Sequence, residues 1–219
     1  MASTLTSAPL APLLHSLFEQ ADQATSPALA ALSGDERARL MGSKTEYTRF
    51  YSLAKDLWLP VSRETGVLLY QLARSTHARN VVEFGTSFGL STLHLAAALR
   101  DNGGGRVISS EFEPSKVAKA RRHLAEGGVD DLVEIREGDA LKTLATDLPE
   151  TVDLLLLDGA KSIYCEVLDL VEPHLRPGAL VVADNADFSP EYLARVRSPD
   201  DGYLSIPFGE DVELSIRLG

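Results

Sequence analysis

From residue 80 onward, short apolar runs alternate with longer amphipathic ones. Runs rich in valine, leucine and isoleucine predict strands at 80–84, 106–111, 131–136, 152–158 and 179–184. Segments with helical spacing of apolar residues predict helices at 90–101, 114–126, 140–147 and 162–174. Glycine and proline mark the joints at Asn102-Gly103-Gly104-Gly105, Gly127-Gly128 and Arg176-Pro177-Gly178. Such alternation predicts an α/β fold, a doubly wound parallel sheet with helices on both faces. Two further extended runs, Tyr203–Pro207 and Val212–Leu218, flank Phe208-Gly209-Glu210-Asp211 and predict a terminal hairpin.

Upstream of residue 80 the pattern is helical. Leu13, Leu14, Leu17 and Phe18 fall on one side of a helix over Leu10–Ala24. Ser26-Pro27 opens a second, short helix, and Ser33-Gly34-Asp35 separates it from a third. Residues 44–57 carry an aromatic stripe of Tyr47, Phe50 and Tyr51 continued by Leu53, Ala54 and Leu57. The stripe is expected to cap the core or pack on a partner subunit in preference to touching substrate, which makes the first helices a candidate homodimer surface. Pro60 breaks the pattern, and a helix over 61–74 leads into the first strand. With no linker or repeat, the chain reads as one domain, 1–219, made of a helical extension (1–56) and an α/β core (57–219).

Composition narrows the partners. A 219-residue chain that is 44% hydrophobic and 24% charged has the make-up of a soluble globular protein. Its formal net charge of −11 opposes a nucleic-acid partner, whose binding depends on cationic contacts. Lys116, Lys119, Arg121 and Arg122 recur at helical spacing and read as a solvated face. The single cysteine, Cys165, fits a reducing compartment. No apolar run is long enough for a bilayer, and the first basic residue is Arg37, so no membrane partner is expected and the cytoplasm is the expected location.

The candidate chemistry gathers at the carboxyl ends of the predicted strands, where open α/β sheets bind ligands. After the first strand comes Glu83-x-Gly85-x-x-x-Gly89, which is neither a dinucleotide fingerprint nor a phosphate loop. Glu83, Glu111, Asp158 and the pair Asp184-Asn185 close four of the five strands. Any one alone reads equally well as a helix cap. Glu111 could accept two hydrogen bonds from a ribose diol, and without a pyrophosphate pattern the obvious nucleoside cofactor is S-adenosylmethionine. Asp158, Asp184 and Asn185 offer hard oxygen donors suited to Mg²⁺ or a similar divalent ion such as Mn²⁺. Lys161 lies one turn beyond Asp158, at a helix start where a cation opposes the macrodipole.

Over residues 57–219 the chain resembles the class I S-adenosylmethionine-dependent O-methyltransferases of the catechol O-methyltransferase type, in their small bacterial form. The likeness rests on Val82-Glu83-Phe84-Gly85-Thr86-Ser87-Phe88-Gly89-Leu90-Ser91-Thr92, on Glu111 in Ser109-Ser110-Glu111-Phe112, and on Gly138-Asp139-Ala140. Leu157-Asp158-Gly159-Ala160-Lys161 and Ala183-Asp184-Asn185 extend it, as does Val61 ahead of Gly66. It implies a Rossmann-like methyltransferase sheet of about seven mostly parallel strands. It also implies that Val61, Glu83, Gly85, Ser87, Ser91, Glu111, Asp139, Ala140 and Asp158 hold the cofactor. Asp158, Asp184 and Asn185 would bind the metal, and Lys161 would be the general base, its pKa lowered by burial and by the neighbouring cation. The implied acceptor is a small aromatic hydroxyl compound, a catechol or another vicinal diol. Mammalian catechol enzymes have histidine and an aromatic after the metal aspartate; Gly159 and Ala160 here imply a wider or differently gated slot. Two other readings share the cofactor loop: a metal-independent N- or carboxyl-methyltransferase, and a non-catalytic S-adenosylmethionine-binding protein.

Overall fold

The computed structural model describes residues 3–209 and 211–219; Glu210, in the expected hairpin loop, lies outside the described residues. Seven strands form one sheet: β1 (Asn80–Phe84), β2 (Arg106–Glu111), β3 (Val133–Glu137), β4 (Val152–Leu157), β5 (Leu175–Ala183), β6 (Tyr203–Phe208) and β7 (Val212–Arg217). Their order is β3-β2-β1-β4-β5-β7-β6, parallel except where β7 runs antiparallel to β5 and β6. The chain winds outward from β1 to β3 and then returns to β4 on the other side. The carboxyl ends of β1 and β4 therefore flank the switch point, where a crevice opens.

β1 and β4 are buried along nearly their whole length because helices cover both faces. Val81, Leu154, Leu156 and Val182 face α1 (Leu10–Gln23), α5 (Arg63–Ser75), α6 (Leu90–Asp101) and α7 (Pro114–Gly127). Val82, Phe84, Leu155 and Leu157 face α8 (Ala140–Thr143), α9 (Tyr164–Val171) and α10 (Pro190–Val196). Every residue of α6 from Leu90 to Leu99 is buried. One reason is that α1 packs on α6 and α7, placing Leu10, Leu14, Leu17 and Phe18 in the main core. Each such side chain contributes roughly 1.5–3 kcal/mol. The remaining early helices, α2 (Pro27–Ala30), α3 (Gly34–Met41) and α4 (Tyr47–Leu53), build a smaller cluster around Leu29, Leu40, Phe50 and Ala54.

Several boundaries differ from the sequence pattern; strand β3, expected from 131, starts at Val133 after a 3-10 turn over Asp130–Leu132. Helix α8 stops at Thr143 instead of 147, because the Arg136 guanidinium takes the carbonyls of Thr143, Thr146 and Asp147 as acceptors. The helix expected at 162–174 is α9 with a 3-10 turn at each end, Lys161–Ile163 and Glu172–His174. Strand β5 starts at Leu175, ahead of the expected 179, and its register against β4 shifts between Val152 and Leu154. Among the described residues no helix is long and apolar enough to cross a membrane.

Candidate active site

The ladder continues past the strand ends and brings the loops together. Asp158 N–H donates to the Phe84 carbonyl at 2.8 Å, and Asp184 N–H donates to the Leu157 carbonyl at 2.9 Å. Leu157 pairs with Ala183, so Asp158 and Asp184 emerge side by side from neighbouring parallel strands. The Tyr164 hydroxyl lies 2.8 Å from the carbonyls of both Leu157 and Asp184 and ties these two ends together. Gly85 makes the approach of β1 to β4 possible: its φ is +105°, and a Cβ there would lie 2.5 Å from the Asp158 carbonyl oxygen.

A cleft of about 600 Å³ opens beside Gly85 and Ser87, with Glu111, Asp139 and Ala140 on its wall. Ser87 N–H donates to Glu111 Oε2 at 2.8 Å, and Glu113 N–H donates to Oε1 at 3.0 Å. Burial raises the Glu111 pKa, and the Glu113 amide and the Lys116 charge oppose the rise. Asp139 caps α8 through Leu141 N–H and also accepts the Tyr47 hydroxyl at 2.8 Å. A narrower extension runs under Trp58, Leu59 and Pro60 toward Ser91. Trp58 stacks on Phe88 with ring centroids 4.2 Å apart.

Two residues assigned to the cofactor do not line these clefts. Strand alternation turns Glu83 toward α6, where it is fully buried and accepts hydrogen bonds from Ser91, Thr92 and Ser109. It braces the loop through Ser91, which does face the cleft. Burial pushes its pKa up to about 7 against those three hydroxyls. Val61 is in the main core, and its neighbours Leu59, Pro60 and Ser62 supply the wall instead. Lys116 also departs from the solvated face expected of it. It is 4% exposed, lines the cleft, and reaches Ser87 Oγ at 3.4 Å; burial lowers its pKa.

A third cleft, of about 950 Å³, brings together Asp158, Lys161, Asp184 and Asn185. Burial raises the pKa of Asp158, and burial followed by the Asp158 charge pushes Asp184 up to about 8. Two buried carboxyls that repel each other across a cleft are a setting that a divalent cation relieves. Asn185 sits at φ 49° and donates Nδ2–H to Asp211 Oδ2 at 2.7 Å, which leaves its carbonyl oxygen as the free end. Among the described residues no three His, Cys, Asp or Glu side chains converge as a ligand set.

Lys161 Nζ donates to Asp158 Oδ1 at 3.0 Å. The lowered pKa expected for it is not found. Burial does act downward, but Tyr164, Asp158, Tyr51 and Asp184 outweigh it and hold the ammonium form. The aromatic stripe divides. Ala54 packs inward, Phe50 packs in the small cluster and also edges the third cleft, and Tyr47 and Tyr51 line the first; the Tyr51 hydroxyl donates to the Gly159 carbonyl at 3.3 Å. Gly159 does not widen the slot at that point, because the Phe84 ring occupies the space: a Cβ on Gly159 would meet Phe84 Cζ at 2.4 Å.

A family profile described as a methyltransferase domain matches residues 82–186. The chain is 35% identical over 130 residues to a catechol O-methyltransferase of Niastella koreensis, covering 58% of each chain. It is 36% identical over 127 residues to a catechol O-methyltransferase of Mycobacterium tuberculosis, covering 58% of this chain and 57% of that one. The chain thus spans less than two thirds of the length of these curated relatives. Among solved structures, the O-methyltransferase TomG of Streptomyces achromogenes, in complex with S-adenosylmethionine, superposes with a TM-score of 0.67. That match is at 28% identity and covers 86% of this chain and 92% of the other. An O-methyltransferase of Bacillus cereus, at 22% identity, TM-score 0.67 and coverage of 85% and 93%, shares the fold.

Proposed function

We propose, from the premise that this chain carries a methyltransferase domain related to those of the catechol O-methyltransferases, that it moves a methyl group from S-adenosylmethionine to one hydroxyl of a vicinal diphenol with the help of a divalent cation. The observation that carries the reading is the meeting of Asp158, Asp184, Asn185 and Lys161 in one cleft, beside the loop of Gly85.

The Glu111 carboxylate keeps lone pairs free beyond its two amide donors and can accept a ribose diol. Asp139 and Ala140 border the base, and the bare backbone at Gly85 lets the cofactor approach the sheet edge. Ser91 spends its proton on Glu83 and so presents acceptor lone pairs to the methionine ammonium. Asp158, Asp184 and the Asn185 carbonyl would hold Mg²⁺, which when bound neutralises the two carboxylates and makes a phenolic hydroxyl more acidic. Lys161 stands where it can take the proton from that hydroxyl once Asp158 no longer holds its ammonium form. Alignment of oxygen, methyl and sulfur supplies the largest share, roughly 7–11 kcal/mol in favourable cases.

The test is methyl transfer from labelled S-adenosylmethionine to catechol before and after exhaustive chelation, with Mg²⁺ or Mn²⁺ added back. Loss and recovery are expected. Full activity without metal would favour the metal-independent N- or carboxyl-methyltransferase. Cofactor binding without transfer to any acceptor would favour the non-catalytic reading.

A further inference from the structure

The acceptor cleft does not end at Asp158 and Asp184. A groove of about 660 Å³ leaves it between α3 and Phe188, lined by Ala38, Met41, Gly42, Tyr51, Lys161 and Phe188. Met41, Tyr51, Lys161 and Phe188 belong to both spaces, so the groove continues the cleft outward from the ion-pairing end of Lys161. Its lining is apolar apart from the Tyr51 hydroxyl and the Lys161 ammonium, and these are engaged by Gly159 and Asp158. Among the described residues no carboxylate lines it. At its mouth the Phe188 ring is 59% exposed, an uncovered aromatic surface at the rim of the candidate site.

From this continuity we infer that the acceptor is a vicinal diphenol bearing an uncharged apolar substituent of several carbons, which lies between α3 and the Phe188 ring. The inference rests on the diphenol reading of the cleft. An ammonium in that substituent would lose water without meeting an anion, whereas a hydrocarbon would cover Phe188 and Met41. Each methylene buried there should raise kcat/KM by about twofold to fourfold.

The experiment measures kcat/KM for catechol and its 4-methyl, 4-propyl, 4-hexyl and 4-(2-aminoethyl) derivatives, with cofactor and Mg²⁺ in excess. It is paired with calorimetric binding of 4-hexylcatechol to the chain loaded with S-adenosylhomocysteine and Mg²⁺. The alkyl series should climb, and the aminoethyl compound should gain nothing over 4-methylcatechol. Ala38→Glu, on the exposed side of the groove, should flatten the climb and leave catechol itself unchanged. A flat series in an enzyme that methylates catechol overturns the groove and leaves the transfer reading standing, as does a climb that persists in Ala38→Glu. Binding of 4-hexylcatechol that Ala38→Glu weakens, with no turnover of any diphenol, supports the groove and removes the transfer reading. Neither binding nor turnover overturns both.

Discussion

Replacing Gly85 by alanine should injure stability and cofactor binding together, and a second glycine allows the two causes to be separated. Gly85 has φ +105°, a conformation that costs roughly 1–3 kcal/mol for a residue with a side chain. The new Cβ would also lie 2.5 Å from the Asp158 carbonyl oxygen, 2.7 Å from its carbon and 2.8 Å from the Gly159 nitrogen. These are backbone atoms with no rotamer to yield. Restoring ordinary contact at 3.4 Å requires the β1 and β4 ends to part by about 0.9 Å, the difference between 3.4 and 2.5 Å. Forced overpacking of this kind adds about 1–3 kcal/mol. A combined loss of about 4 kcal/mol lowers Tm by roughly 8–16 °C for a chain of this size. Gly104, at φ +109° with no heavy atom within 4 Å of its would-be Cβ, isolates the backbone part. Gly104→Ala should lose about 1–3 kcal/mol and keep its affinity for S-adenosylhomocysteine. Urea unfolding and titration calorimetry on both variants give the answer. Equal stability losses in the two, or normal cofactor affinity in Gly85→Ala, would refute the claim that the close approach of the two loops shapes the site.

Other expectations are as follows. Lys161→Met should lower turnover by about 10²-fold or more, with cofactor affinity nearly unchanged; parallel kinetics and calorimetry check this, and intact turnover would remove the base assignment. Burial raises the Glu83 pKa in the folded state to about 7 from the ordinary 4.5, so the folded state holds its proton more tightly than the unfolded state. Its contribution is therefore full below about pH 4.5 and is lost as pH rises toward 7, on the order of 3 kcal/mol. The wild-type minus Glu83→Gln difference in unfolding free energy should trace that fall between pH 4.5 and 7, and a flat difference contradicts it. Lys116→Met removes the charge that helps to keep Glu111 ionised; its Kd for S-adenosylhomocysteine should rise several-fold more at pH 5.5 than at pH 8. An equal rise at both pH values would mean that Lys116 acts by packing alone.

Much of the sheet was legible because its signal is local. Strands β1 and β2 and helix α6 have the boundaries that periodicity predicts, and the acidic strand ends mark the crevice. What escaped depends on contacts between distant segments. Periodicity along residues 140–147 cannot reveal that Arg136 collects their carbonyls. A lysine at helical spacing with other basic residues looks solvated, yet α7 turns Lys116 inward toward Ser87. The inward turn of Glu83 was available in principle, since Val81 and Glu83 share one strand face and Ser91 and Thr92 open the next helix. Tyr47, Phe50 and Tyr51 carried no sequence mark to distinguish them from Ala54, because one short helix supplies both cleft wall and packing. Asp211 lies just ahead of β7, and only the meeting of β5 with β7 brings it to Asn185.

The stack of Trp58 on Phe88 has an optical consequence. The chain contains a single tryptophan, and it forms part of the roof where the narrower extension of the crevice would take the methionine end. All indole fluorescence therefore originates at one wall of the binding site, with no second emitter to dilute it. The intact, unlabelled protein carries its own gauge of occupancy, sensitive to whatever enters beneath that ring.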